Sequence, residues 1–359
     1  MKKTLLICLA ASAMVSCSQD EVMEVAQKEA ISFKDAFVEN ATRAIDGTYS
    51  NENLPAAFKV YGNTQGDETG APIVPIFNAV EVSKTNTTGV GVSYKYNANY
   101  TQYWIDNNTY NFAAVVDANT TNIGTDGLPT TIEYDASNQK DLLYAEELNK
   151  KKTNYTNGEV KFTFNHLLSK AMFTVVNEMA DNDANKIYFY RVSDVQINNA
   201  YKTATYHAVA SGEGENAIAK GTWMPTAGDA NTIMVDFGHV CNNATADNTA
   251  AYEIPMNSSA TSNNQRVLIP AAYSSSTKQL NITCTIETLI QQTDENGAVT
   301  YATINTENYN KSIDQTFEAG KAYNFKITLG NPGDVIKFGV EAIEEWDDNH
   351  TNYDKEIYK

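Results

Sequence analysis

The chain has 359 residues, 42% apolar and 19% charged, with 44 acidic against 26 basic residues and a formal net charge of -18. That balance fits a globular protein of about two domains. It argues against a nucleic-acid partner, which needs a surplus of cations, and against docking on anionic lipid through a basic face. With 4 histidines and 4 cysteines there is little material for a metal centre, and no cofactor is expected.

Met1-Lys2-Lys3 and the apolar run Thr4 to Val15 have the charged front and uncharged middle of a secretory signal, too short for a mature membrane anchor. Met14-Val15-Ser16-Cys17 resembles a bacterial lipobox, with Met14 where Leu is commoner. Residues 1–16 therefore read as a lipoprotein signal peptide and Cys17 as the lipidated residue, which would tether the chain to a membrane. The following Ser18-Gln19-Asp20-Glu21 is similar to acidic signals that send Bacteroidetes lipoproteins to the cell surface.

The body predicts strands. Phe58 to Tyr61, Val90 to Tyr96, Tyr110 to Val116 and Leu142 to Tyr144 come first. Period-two alternation follows at Val160/Phe162/Phe164, at Leu280/Ile282/Cys284/Ile286 and at Tyr323/Phe325/Ile327/Leu329. Ile336, Phe338 and Val340 come after the turn signal Gly330-Asn331-Pro332-Gly333. The best helical candidate is the short Tyr144 to Lys151 segment. The pattern predicts an all-β chain of antiparallel sandwiches. The polar stretch Asn149 to Asn154 divides it, with Lys150, Lys151 and Lys152 read as a solvated loop.

No catalytic motif occurs, so no enzyme activity is expected. Gly212 to Ala217 matches a dinucleotide fingerprint only formally, and Asp181 to Asn185 starts like a calcium loop but has Lys186 and Val192 at the sixth and twelfth positions. The carboxylates of Glu344-Glu345-Trp346-Asp347-Asp348 are adjacent in sequence and would face opposite sides of a strand. His166, His207, His239 and His350 lack ligand spacing. Cys241 and Cys284 are both in phase with apolar residues and read either as a disulfide or as buried thiols.

Four segments, in order along the chain, carry a resemblance. They are the lipobox cysteine with a leader ending Ala41-Thr42-Arg43-Ala44, then Phe162-Thr163-Phe164-Asn165-His166-Leu167-Leu168-Ser169-Lys170, then Val267-Leu268-Ile269-Pro270, and last Ala319-Gly320-Lys321-Ala322-Tyr323-Asn324-Phe325. The chain thereby resembles the fimbrillin family of Bacteroidales, the lipoprotein precursors of type V pili. The resemblance implies two tandem transthyretin-like antiparallel β-sandwich domains, 44–155 and 156–359, after a lipidated leader, 17–43. It also implies strand exchange: an arginine-specific protease cuts between Arg43 and Ala44, a removable strand carrying Ile31, Phe33 and Phe37 leaves its groove, and another pilin subunit fills it. The expected place is the outer membrane and cell surface, in fimbriae once assembled.

The chain departs from stalk subunits at its C-terminal segment. Asp347 to Lys359 offers only Tyr353, Ile357 and Tyr358 as apolar bulk. Either Ile336 to Ile343 is the donor strand, or the chain is a tip-like or accessory subunit that accepts a strand without giving one. The competing expectation is a non-polymerising surface lipoprotein that binds glycan or a host ligand, with Tyr103 and Trp104 as a sugar platform.

Overall fold

Alternating apolar residues bury one face of a strand, and strands apolar on both faces need cover on both. The computed structural model describes residues 28–34, 37–38, 54–85, 92–179, 188–208, 221–235, 252–255, 258–261, 266–331 and 333–343. In chain order the first strands are β1 (Ser32–Lys34), β2 (Phe37–Val38), β3 (Ala57–Gly66), β4 (Ile73–Lys84), β5 (Ser93–Lys95), β6 (Asn108–Val116), β7 (Thr120–Ile123), β8 (Pro129–Asp135), β9 (Leu143–Lys150), β10 (Glu159–Val160) and β11 (Thr163–His166). There follow β12 (Ser169–Asn177), β13 (Tyr188–Ala200), β14 (Thr203–His207), β15 (Thr222–Pro225), β16 (Asn231–Met234), β17 (Tyr252–Pro255), β18 (Ser258–Thr261), β19 (Arg266–Leu268), β20 (Ala271–Tyr273), β21 (Leu280–Thr293), β22 (Val299–Ile313), β23 (Gln315–Phe317), β24 (Ala322–Leu329) and β25 (Lys337–Ile343).

The first sheet runs β10-β1-β5-β4-β3-β6-β9-β11-β2. β10 and β11 are two pieces of one run parted by Lys161 and Phe162, and β1 and β2 are two pieces of another. The path therefore returns on itself and closes as a barrel, which removes open edges. Phe58 and Val60 of β3, Phe112 and Ala114 of β6, and Leu143 and Ala145 of β9 fill its interior. The alternate residues Tyr61, Ala113, Val115 and Tyr144 point outward into a second core, against Ile132 and Tyr134 of β8 and Tyr206 of β14. That covering layer is the sheet β15-β14-β8-β7, in which β8 and β14 pair from Thr203↔Asp135 to His207↔Thr131, so it joins strands from both sides of residue 155.

Burial on both faces corrects one expectation. Tyr144 to Lys151 is not a helix: Leu143–Lys150 is β9, hydrogen-bonded to β6 and β11. Apolar residues on both faces hide the period-two signal that marks a half-buried strand.

The C-terminal core lies between two sheets, β18-β12-β24-β25 with β19 beside β12, and β16-β13-β21-β22 with β17 beside β13. β12 and β24 are parallel from Lys170↔Ala322 to Asn177↔Leu329, and Phe173 stacks on Phe325 at 4.8 Å. The expected alternations hold: Leu280, Ile282, Cys284 and Ile286 are buried, as are Tyr323, Phe325, Ile327 and Leu329.

Three of the four family-like segments meet where the chain passes from barrel to sandwich. Phe162 and Phe164 fill the barrel, and Leu167 and Leu168 enter the covering core. Ser169 and Lys170 pair with Leu268 and Val267 of β19. Gly320 donates its N–H to the Leu168 carbonyl at 2.9 Å, and Lys170 N–H donates to the Lys321 carbonyl at 2.9 Å. Gly320 has φ 70°, a turn conformation that glycine adopts without strain. Beside the crossing, His166 Nδ1 lies 2.8 Å from Asp141 Oδ2, both side chains buried.

Among the described residues no helix is long and apolar enough to cross a membrane. Cys284 is a buried free thiol, and Cys241, its suggested partner, lies outside the described residues.

Two outcomes follow. Asp141→Ala strips a buried histidine of its carboxylate and should lower stability by about 2–3 kcal/mol in urea unfolding. Burial pushes the Cys284 thiol up to about 12, so the reactive thiolate is scarce at neutral pH. Iodoacetamide at pH 8 should leave Cys284 unmodified in the folded chain and label it in denaturant, as read by mass spectrometry.

Candidate functional site

The segment Glu29 to Lys34 alternates, with Ile31 and Phe33 1% and 2% exposed and Ser32 and Lys34 only half-buried. It is held on both edges. Phe33 pairs with Tyr94 and Lys34 with Ser93 in an antiparallel ladder to β5. Ser32 pairs with Glu159 and Phe33 with Val160 in a parallel ladder to β10. Upstream, Ile31 N–H donates to the Gln102 carbonyl and Trp104 N–H to the Glu29 carbonyl, each at 2.9 Å. Downstream, β2 continues parallel to β11, with Phe37 beside Thr163 and Val38 beside Phe164.

The groove beneath is aromatic. Phe33 stacks on Phe162 with centroids 5.7 Å apart, and meets Phe77, Tyr96 and Phe112 edge-on. The Tyr96 hydroxyl donates to the Ile31 carbonyl at 2.6 Å, and burial raises its pKa, keeping it a neutral donor. Tyr94 donates to the Pro55 carbonyl, its phenol pushed up to about 12 by burial. Trp104 packs edge-on to Tyr110 at 4.6 Å and donates its indole N–H to the Gly158 carbonyl at 3.2 Å. Gly158 sits at φ 64°, and a Cβ there would come within 2.6 Å of Trp104 Nε1 and 2.9 Å of Glu29 Oε1. Only glycine admits the indole and Glu29 together.

Charged residues rim the groove. Lys152 Nζ lies 3.2 Å from Glu29 and 3.8 Å from Asp106, and Lys34 Nζ lies 3.6 Å from Glu159. The neighbouring Lys151 and Lys150 reach Asp67 at 2.6 Å and Glu147 at 3.3 Å. The hydrogen bond from Lys151 holds the Asp67 carboxyl below its ordinary range. The lysine triplet thus makes four ion pairs, one within β9 and three to Asp67, Glu29 and Asp106 elsewhere, and is more than a solvated loop.

Magnitudes rank these contacts. Burying Ile31 and Phe33 contributes about 1.5–3 kcal/mol each, a sizeable part of the ~5–15 kcal/mol that stabilises a whole domain. The partly exposed ion pairs contribute about 0–1 kcal/mol each. Apolar burial therefore supplies the strength of docking.

Of the sequence-predicted residues, Ile31 and Phe33 lie together in the groove, and the Phe37 backbone continues the strand. Cys17, Arg43 and Ala44 lie outside the described residues. Cys284 is in the C-terminal core, away from the groove. Trp104 is 5% exposed, so it does not offer a sugar platform, although Tyr103 is 45% exposed. Sequence reasoning missed Tyr94, Tyr96, Trp104 and Gly158 as groove residues. Phe162 was legible as an inward strand residue but not as a partner of Phe33. Gly212 to Ala217, Asp181 to Asn185 and Glu344 to Asp348 lie outside the described residues.

Phe33→Ala should destabilise the chain by about 3–5 kcal/mol in chemical unfolding. Gly158→Ala should also loosen residues 29–34, read as faster amide hydrogen exchange there than in the unchanged chain.

A family model described as fimbrillin-like matches residues 42–346. No curated protein matches the chain in sequence. The chain is similar to the crystal structure of a fimbrial protein from Bacteroides vulgatus, at 16% identity and TM-score 0.54, covering 87% of this chain and 99% of that one. It is also similar to a fimbrial assembly protein from Parabacteroides distasonis, at 13% identity and TM-score 0.39, covering 87% and 96%.

Proposed function

The chain belongs to the fimbrillin-like family, and from that premise we propose that it is a cell-surface fimbrial subunit, made as a precursor lipidated on Cys17. In this reading an arginine-specific protease cuts between Arg43 and Ala44. The leader strand then leaves and a strand of another pilin subunit takes its place. Lipid on Cys17 holds the precursor at the outer membrane, and assembly moves it into fimbriae.

The observation that carries the reading is the seating of β1. It is a short strand close to Arg43 in sequence, yet it joins β5 to β10 and buries Ile31 and Phe33. Its loss would uncover Phe162 and Tyr96 and leave two strand edges facing each other. Such a gap invites β-augmentation from a second chain. The units of the proposal are 44–155 and 156–359, with β10 and β11 reaching from the second into the barrel of the first.

The chain is further proposed as a tip-like or accessory subunit, one that accepts a strand without giving one. Ile336 to Ile343 supports this. Lys337–Ile343 is β25, paired with β24 from Ala322↔Ile343 to Thr328↔Lys337, and Phe338 and Val340 pack on the C-terminal core. Donating that stretch would cost the subunit its own edge strand.

The test uses residues 18–359 without lipid, a trace of arginine-specific protease, unboiled gels and mass spectrometry. The expected result is one cut after Arg43 with no detergent-resistant ladder. A ladder would make the chain a self-polymerising stalk subunit. Absence of the cut, with the fold intact, would return it to a plain surface lipoprotein.

A further inference from the structure

Alternation fixes the register of a groove strand only up to steps of two. A one-residue slip would turn Ser32 and Lys34 into the barrel, which the burial of Ile31 and Phe33 forbids. A two-residue slip keeps the inward parity, but it carries Glu29 into the place of Ile31 or Asp35 into that of Phe33 and so buries a carboxylate, which is the largest barrier to it. Shape, an aliphatic side chain followed by an aromatic one stacked on Phe162, and charge at the rim add to that barrier. Two ion pairs of opposite polarity bracket the apolar pair: Lys152 holds the acid at position 29, and Glu159 holds the base at position 34. Glu159 faces Ser32 in the parallel ladder, which brings Lys34 to it on the diagonal of one sheet face.

We propose that the groove selects its incoming strand by a six-residue code, acid–x–aliphatic–x–aromatic–base, read by Lys152 and Glu159 at its rim and by Phe162 between them. This rests on the strand-replacement reading above and specifies its partner: a strand of another chain with that pattern, lying parallel to β10 as the leader does. Loss of the leader would remove Glu29 from Lys152, leaving it only the largely exposed Asp106 at 3.8 Å, and Lys34 from Glu159, so the rim presents one positive and one negative site at fixed spacing. Charges of this exposure govern register and partner choice more than strength.

The chain's own C-terminal residues do not satisfy the code. Asp354-Lys355-Glu356-Ile357-Tyr358-Lys359 has the acid, the aromatic and the base in place, but Glu356 falls where the groove buries Ile31. Glu341-Ala342-Ile343 repeats Glu29-Ala30-Ile31, but Glu345 then falls at the aromatic position. Asp334-Val335-Ile336-Lys337-Phe338-Gly339 has the acid, the aliphatic and the aromatic in place, but Gly339 stands where the base belongs and Ile336 and Phe338 already pack on the C-terminal core, so the code points to a strand of a different subunit.

The experiment takes the chain cut after Arg43, unfolds it in urea and refolds it with excess fluorescent peptide, reading uptake by anisotropy. The peptide of residues 29–38 should be taken up. Its E29K and K34E forms should bind about 3- to 10-fold more weakly to the same protein. The E29K peptide should recover on a Lys152→Glu chain, and the K34E peptide on a Glu159→Lys chain. A peptide of residues 350–359 should bind poorly and its Glu356→Ile form well. Equal uptake of all charge forms would overturn the code while leaving strand replacement intact. Failure to take up even the unaltered 29–38 peptide would overturn strand replacement and the code with it. Tight binding of the unaltered 350–359 peptide would overturn the assignment of a different subunit as partner.

Discussion

A strand lying between two others must satisfy hydrogen bonds on both edges and fill the space beneath it with every second side chain. In this barrel that position belongs to β1, which joins β5 to β10 and so closes the ring. The requirement is severe because both neighbours are short. β5 and β10 are three and two residues long, so neither holds the gap shut without the strand between them. The aromatic lining compounds this, since Phe33 is the central ring among Phe77, Tyr96, Phe112 and Phe162. A residue so early in the chain is thus part of a core built mainly from residues 58 to 164.

The rest of the molecule supports that closure. β6 and β9 are covered inside by the barrel core and outside by the β15-β14-β8-β7 layer, which makes them rigid walls for the groove. The layer mixes strands from both halves of the chain, so barrel and sandwich are tied by main-chain pairing as well as by the crossing at Leu167 and Leu168. Trp223 adds a further tie, donating its indole N–H to the Leu167 carbonyl at 2.8 Å. Gln139 does the same for β19, its side-chain amide both accepting from and donating to the Val267 backbone. Three of the four segments that carry the family likeness gather at this junction, with their roles set by packing and backbone pairing.

The division of labour at the groove follows from energy scales. Buried apolar area gives strength without direction, because one aliphatic side chain substitutes for another at modest cost. Main-chain pairing gives alignment but little sequence preference. Half-exposed charges add little strength and refine a register that is already guarded by the cost of burying Glu29 or Asp35 in a slipped strand. Lys150, Lys151 and Lys152 show how position divides a run of like charges: each turns to a different carboxylate, and only Lys152 reaches Glu29.

By itself the sequence determined the all-β class, the inward positions of strands with one buried face, the apolar segment with Ile31 and Phe33, and the family. Each of these is local, written in alternation or in a short ordered motif. Tertiary structure alone decided the rest. β9 was illegible because burial on both faces erases period two. Gly158 and Trp104 became groove residues because residues far apart in sequence meet there, and no local pattern encodes a steric allowance for an indole. The closure of the barrel by β1, the parallel pairing of β1 with β10, and the choice of Glu29 for Lys152 are likewise long-range. They depend on which edges and charges the folded chain brings face to face, which periodicity within a segment cannot specify.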